Sequence, residues 1–168
     1  LDKVLYCDQE RYRYGGFPPE YMRTYYNSID VLNAVSLGEG FGIPALEAQA
    51  CGKPVIVGDW CAHEDLCFAG LKVDKAEAHH FYDQQQGWVY IPHPAAIADR
   101  MGKIHTARTQ PHMWAEQQRR ALQGAALYQI DRVIADHWLP LLAEVQSDIS
   151  VPRSRGVLRI IRRDEVFN

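Results

Sequence analysis

The sequence predicts an α/β domain built from βα repeats, followed by a helical C-terminal segment, and three observations carry that prediction. Short β-prone runs at residues 31–35, 55–57, 71–73 and 88–91 are spaced widely enough to hold helices or long loops between them. The stretch SLGEGFGIPALEAQACG, residues 36–52, joins the first of these runs to a short helix through a glycine-hinged loop. From Pro94 onward, apolar residues recur at helical spacing. With 168 residues, 47% of them hydrophobic, the chain matches one domain with a sizeable core.

Taken in order, residues 4–7 form a short strand, and Pro18 and Pro19 open a helix over residues 20–27. Residues 31–35 form the next strand. Gly38, Gly40 and Gly42 then let the backbone turn or approach a ligand, Pro44 suits the first helical position, and Gly52 ends the helix. After the Gly-x-Pro break, residues 55–57 read as a buried parallel strand, with His63 and Glu64 in the loop that follows. Residues 71–73 and 88–91 are two further strands, and the polar KAEAHHFYDQQQG between them reads as a loop or short helix. Ile97, Met101 and Ile104 define one amphipathic helix. Residues 113–128 and 130–145 define two more, with Leu122, Leu127, Val133, Ile134, Trp138, Leu141 and Leu142 available to the core and Pro140 expected to kink the last.

The chemistry concentrates at residues 36–52. Unpaired N–H groups around residues 42–45 would carry the positive end of the helix dipole, where a phosphate is stabilised without a metal. Glu39 precedes the helix and Glu47 lies inside it, so two carboxylates flank that site. Beside a diphosphate they would be repelled, so each suits a ribose or hexose hydroxyl while backbone amides take the phosphates. Singly, each feature has a plainer reading: glycine loops are common turns, and a Glu early in a helix is favoured by the dipole alone.

Together, Glu39 and Glu47 in EGFGIPALEAQACGKPVI, preceded by YYNSIDVLNAVS with Tyr26, Asp30 and Ser36, closely resemble the donor-site signature of family 4 retaining glycosyltransferases, over residues 25–64. The resemblance implies the Rossmann-like parallel sheet with flanking helices of the C-terminal half of a GT-B enzyme. It implies that Glu39, the catalytic candidate, contacts the donor sugar near its 3-hydroxyl, orienting it rather than attacking it. Glu47 would hold the ribose hydroxyls. The amides of Gly40, Phe41, Gly42 and Ile43 would bind sugar and diphosphate, with Ser36 close to the phosphates and Glu64 anchoring its loop. His63 is either a proton carrier near the leaving phosphate or polar surface. The two-carboxylate scheme of glycoside hydrolases, with carboxyls about 5 to 9 Å apart across the scissile bond, does not transfer.

The implied function is donor binding for transfer of a sugar from a nucleotide-diphosphate sugar, with no cofactor and no metal. The family's Arg and Lys diphosphate clamp has no counterpart before Tyr25, and the N-terminal acceptor-binding domain is absent. The chain is therefore expected to be a fragment, which the missing initiator Met favours, or a reduced relative, and not catalytically complete by itself. Two other readings are a non-catalytic binding or structural module and another nucleotide-sugar enzyme such as an epimerase.

Residues 1–150 are assigned to the partial donor domain and residues 151–168 to a basic extension carrying Arg153, Arg155, Arg159, Arg162 and Arg163. That extension suits solvent or a partner, with peripheral membrane contact as the alternative. A net charge of −3 and a pI near 6.2 argue against nucleic acid. Cys61, His63 and Cys67 lack the spacing of a structural zinc site. Without a disulfide framework, signal peptide or spanning apolar run, the expected setting is cytoplasmic.

Overall fold

The computed structural model describes residues 8–15, 17–83 and 87–150. The expected strand at residues 4–7 and the basic extension at residues 151–168 lie outside them. The chain divides into two compact units, one ending at Tyr128 and the other beginning at Gln129.

In the first unit a short helix α1 (Gln9–Arg13) precedes α2 (Pro19–Ser28), which is entered from Pro18 in an extended conformation. A parallel sheet of β1 (Leu32–Asn33), β2 (Val55–Gly58) and β3 (Gly70–Val73) forms the centre, in the order β1-β2-β3. All of β2 is buried. Val55 and Val57 pack with Tyr26, Ala45 and Ala48, whereas Ile56 packs with Trp60, Val73, Ala96 and Ile104. A strand covered on both faces needs apolar side chains at successive positions, which is why Val-Ile-Val runs without alternation. Each such side chain contributes roughly 1.5 to 3 kcal/mol, more than a typical exposed ion pair.

The first strand is shorter than residues 31–35. Leu32 pairs with Val55 and Asn33 with Ile56, and Ala34 N–H still reaches the Ile56 carbonyl at 2.8 Å. Ser36 N–H then turns back to the Ala34 carbonyl at 2.9 Å, and this local bond takes the chain out of the sheet. Helix α3 (Ile43–Ala50) follows, so Pro44 occupies its second position rather than its first. It closes with Gly52 at φ +72°, Gly52 N–H bonding Gln49 O and Lys53 N–H bonding Ala48 O, both at 2.9 Å, the paired bonds of a Schellman end. Gly70, at φ +120°, lets β3 approach β2: a Cβ there would lie 1.8 Å from the Val55 carbonyl oxygen.

Three expectations are corrected. His63 and Glu64 begin a short helix α4 (His63–Leu66) rather than lying in a loop. The polar KAEAHHFYDQQQG segment is not a loop or helix throughout. After a 3-10 turn at Lys75–Glu77 capped by Asp74, it forms β4 (Ala78–Tyr82), antiparallel to β5 (Trp88–Pro92). The run at residues 88–91 thus belongs to a hairpin outside the parallel sheet. Cross-strand ring pairs explain it: Tyr82 meets Trp88 at 5.5 Å and His80 meets Tyr90 at 5.7 Å, contacts worth several tenths of a kcal/mol or more each.

Helices α5 (Pro94–Arg108) and α6 (Pro111–Ala125) complete the unit, with a 3-10 turn at Ala126–Tyr128. Of the α5 stripe, Ile104 is buried and Ile97 half-buried, but Met101 is exposed. The third correction concerns α6 and beyond: Leu122 and Leu127 remain exposed, and the small residues Ala121, Gly124 and Ala125 are buried instead. A Cβ on Gly124 would lie 2.0 Å from the Phe68 ring, so close approach of the backbone takes the place of large side chains.

The second unit holds α7 (Ile130–Val133), a π-helical turn at Ile134–Trp138 and α8 (Leu139–Ser150). Pro140 cannot donate to the carbonyl four residues back, and the ladder widens just before it, with Leu139 N–H reaching Ile134 O. Ile134, Trp138, Leu141 and Leu142 are exposed rather than buried, and Val133 is half-buried.

Gln49, fully buried, ties α3 to the segment after α4. Its amide nitrogen donates to Ala45 O at 3.0 Å and Leu66 O at 2.7 Å, and its oxygen accepts from Phe68 N–H at 2.8 Å and Ala69 N–H at 3.0 Å. Gln49→Leu keeps the size but strands those backbone groups. It should lower stability by about 2 to 4 kcal/mol with an unchanged denaturant slope. A loss under about 1 kcal/mol in urea unfolding would show that Gln49 does not hold the two segments together.

Candidate active site

The site lies where β1 and β2 end and α3 begins, the edge of a parallel sheet at which ligands gather. Its loop is fixed from two sides. Trp60, 1% exposed, donates its indole N–H to the Ser36 carbonyl at 3.0 Å and stacks on Tyr90 at 5.1 Å. Tyr90 N–H donates to the Leu37 carbonyl at 2.9 Å. A Cβ on Gly58 would overlap the Trp60 ring, so a glycine is required for the indole to fold back over the strand end.

Gly42 is the N-cap of α3, with φ +91° and ψ +43°, a left-handed conformation that favours glycine. Its carbonyl accepts from Ala45 N–H at 3.0 Å and Leu46 N–H at 3.2 Å. The Ala45 amide, expected to be free, is therefore engaged, and Pro44 has none to offer. Among the described residues no acceptor receives the N–H of Gly40, Phe41, Gly42 or Ile43. The free donors thus run from two residues before the N-cap to the first residue of the helix. The Phe41 side chain is 45% exposed and meets Tyr128 edge-on at 6.0 Å, and that of Ile43 is exposed as well.

Ser36, Glu39, Pro44 and His63 line one cavity of about 210 Å³ with Asn33, Ala34 and Val35. Glu47 does not line it. One turn into α3, its carboxylate accepts the Tyr26 hydroxyl at 2.9 Å. Tyr26 is 3% exposed, and burial first, then this bond, pushes its phenol pKa up, so the hydroxyl stays a neutral donor. Tyr26 appears in the sequence signature, but nothing in the sequence states that it holds Glu47.

His63 is the site residue that sequence reasoning weighed wrongly. It is not polar surface: it is 2% exposed, and its ring fills the space a Cβ on Gly42 would need, with Cδ2 at 2.7 Å and Nε2 at 2.8 Å from that position. Burial pulls its pKa down from 6.5, and the nearby Glu39 carboxylate opposes that shift without reversing it. The imidazole is therefore neutral at pH 7, and its Nδ1 has no partner among the described residues. The buried Ser36 Oγ has none either. Cys61, just before α4, takes φ +54°, unusual outside glycine. Glu64 does anchor this region, pairing with Lys75 at 3.0 Å, while its carbonyl accepts from Lys72 at 2.6 Å.

Cys61, His63 and Cys67 do not converge. Among the described residues no three His, Cys, Asp or Glu side chains are placed to hold a metal ion. Burial pushes the Cys67 thiol up to about 11, leaving it protonated.

A family model described as "Glycosyl transferases group 1" matches residues 3–106. The chain belongs to this glycosyltransferase family. Its parallel sheet with flanking helices is a Rossmann-like half of the GT-B fold. The chain is similar to D-inositol 3-phosphate glycosyltransferases from several bacteria. That of Pseudarthrobacter chlorophenolicus is 29% identical over 94 residues, 56% of this chain and 22% of the relative. That of Segniliparus rotundus is 29% identical over 117 residues, 66% of this chain and 26% of the relative. For Corynebacterium jeikeium the figures are 49% over 39 residues, 23% and 9%. The chain thus spans about a quarter or less of the length of these relatives. No helix among the described residues is long and apolar enough to cross a membrane.

The lowered pKa of His63 has a consequence for stability. The unfolded chain protonates near 6.5 while the folded site resists, so the stabilisation is complete above that pH and is lost as the pH falls below it. Thermal unfolding followed from about pH 7.5 down to about pH 5 should therefore show a steeper loss for the natural chain than for His63→Gln, which cannot titrate. Parallel profiles would mean that His63 is not held neutral.

Proposed function

We propose that this chain is the donor-binding half of a retaining glycosyltransferase acting on a nucleotide-diphosphate sugar, its acceptor being met by a separate N-terminal domain. The observation that carries this reading is the run of four free amides, Gly40 to Ile43, at the start of α3 and between two carboxylates of different surroundings. Oriented N–H groups at a helix start suit the diphosphate, both in the bound donor and as charge grows on the departing group. Glu47, held by Tyr26, is positioned to accept from ribose hydroxyls, as a preorganised hydrogen-bond acceptor should be. Glu39, in the cavity, orients the sugar ring. The name of the relatives makes D-inositol 3-phosphate the first acceptor to try with a longer protein.

Calorimetric titration of the 168-residue chain with UDP, GDP and ADP tests the reading. One nucleotide should bind saturably. Glu47→Ala should weaken it by about ten- to a hundredfold while the unfolding transition persists, since the lost bonds involve a charged group. Tyr26→Phe, which frees the carboxylate without removing it, should cost less, about two- to tenfold. Equal affinity in Glu47→Ala, or no saturable signal for any nucleotide, would count against donor binding.

A further inference from the structure

Among the described residues, two buried polar atoms, Ser36 Oγ and His63 Nδ1, have no hydrogen-bond partner, and both residues line the cavity that also holds Glu39. Buried polar groups are paired in roughly nine cases of ten or more, so two orphans on residues that line one cavity call for a specific cause. A ligand that bonds both would supply it. The sequence leaves His63 between a proton carrier and polar surface, and a residue that is 2% exposed and packed against Gly42 is not polar surface. The contact packs one edge of the ring, which helps to place a recognition residue.

The cavity's chemistry selects among the parts of a donor. Its seven lining residues include one carboxylate and no Lys or Arg, so a phosphate placed there would meet Glu39 with no cation to offset it. A sugar hydroxyl can donate to a carboxylate or to an imidazole nitrogen and can accept from a serine hydroxyl. A volume of about 210 Å³ is below the roughly 300 to 1,000 Å³ of pockets that enclose whole ligands, and suits a single ring.

We propose that His63, together with Ser36, recognises hydroxyl groups of the donor's sugar ring and so helps to decide which sugar is accepted, without holding the diphosphate. This rests on the donor-binding reading above. A neutral imidazole supports it, being able to donate at one nitrogen and accept at the other. A proton carrier for the leaving phosphate would have to reach a group that this cavity repels.

The test compares a nucleoside diphosphate with its sugar conjugate on the same 168-residue chain, as UDP with UDP-glucose, GDP with GDP-mannose and ADP with ADP-glucose. His63→Leu removes the orphaned nitrogen and keeps an apolar filling, so the empty chain should unfold at the same temperature or higher. It should bind the conjugate about tenfold more weakly and the nucleotide as before. His63→Asn, which returns a polar atom near Nδ1, should restore most of the preference, and Ser36→Ala should lower it with no change in folding. Equal loss for nucleotide and conjugate, or no loss for either, overturns the proposal while leaving donor binding standing. If neither ligand binds the unmutated chain, the donor reading fails and this inference with it.

Discussion

The site depends on one buried side chain that lies outside it. Gln49 makes four hydrogen bonds, and three of its partners, Leu66, Phe68 and Ala69, belong to the end of α4 and the segment that leads into β3. Unpaired, such groups would be costly in an interior of low dielectric, so a fully satisfied network fixes one relative position of α3 and α4. Both helices are short, and a few residues earlier in each lie Gly42 and His63. Holding the later parts together presses the imidazole against the glycine. An Ala at position 42 would need a strained φ and would overlap the ring, so this contact requires glycine.

The sheet supplies the second constraint. Because β2 is buried on both faces, its C-terminal end is held firmly, and Trp60 just beyond it reaches back to the Ser36 carbonyl, while Lys72 of β3 binds Asp59 and the Glu64 carbonyl. The hairpin adds Tyr90 on the Leu37 carbonyl. The bonds from Trp60 and Tyr90 go to backbone carbonyls of the loop after β1, and among the described residues the amides at residues 40–43 and the Ser36 hydroxyl stay uncommitted. A loop satisfied on its acceptor side and open on its donor side is prepared for an anionic or hydroxylated ligand.

Much of this was legible in the sequence, and the failures share a cause. The glycine loop, α3, the Schellman end at Gly52 and the strand Val55–Gly58 depend on local backbone chemistry, which a residue's identity reports directly. The hairpin strand Ala78–Tyr82 was missed because its two histidines were read as polar, whereas alternate positions pair as rings across the strands. The apolar residues of α6 were assigned inward, yet close approach of Gly124 to Phe68 put Ala121 and Ala125 there instead. His63 was the largest error. One histidine in a sequence carries no information about what will press against it, and its burial follows from Gly42, twenty-one positions earlier. Glu47 was legible as a carboxylate, but not the hydroxyl that positions it.

The two carboxylates divide the site electrostatically. Glu39 belongs to a cavity whose other polar lining residues, Asn33, Ser36 and His63, carry no charge at neutral pH, so the region has negative character and room for hydroxyls. The free amides at residues 40–43 belong to the positive end of α3. Anionic and polyhydroxylic parts of one molecule are thereby drawn to adjacent but different places. Exchanging them would set a phosphate against Glu39 and leave amides facing neutral hydroxyls, losing at both ends. Under the reading proposed above, a nucleotide-diphosphate sugar is held in one direction, its ring at the cavity and its phosphates at the helix start.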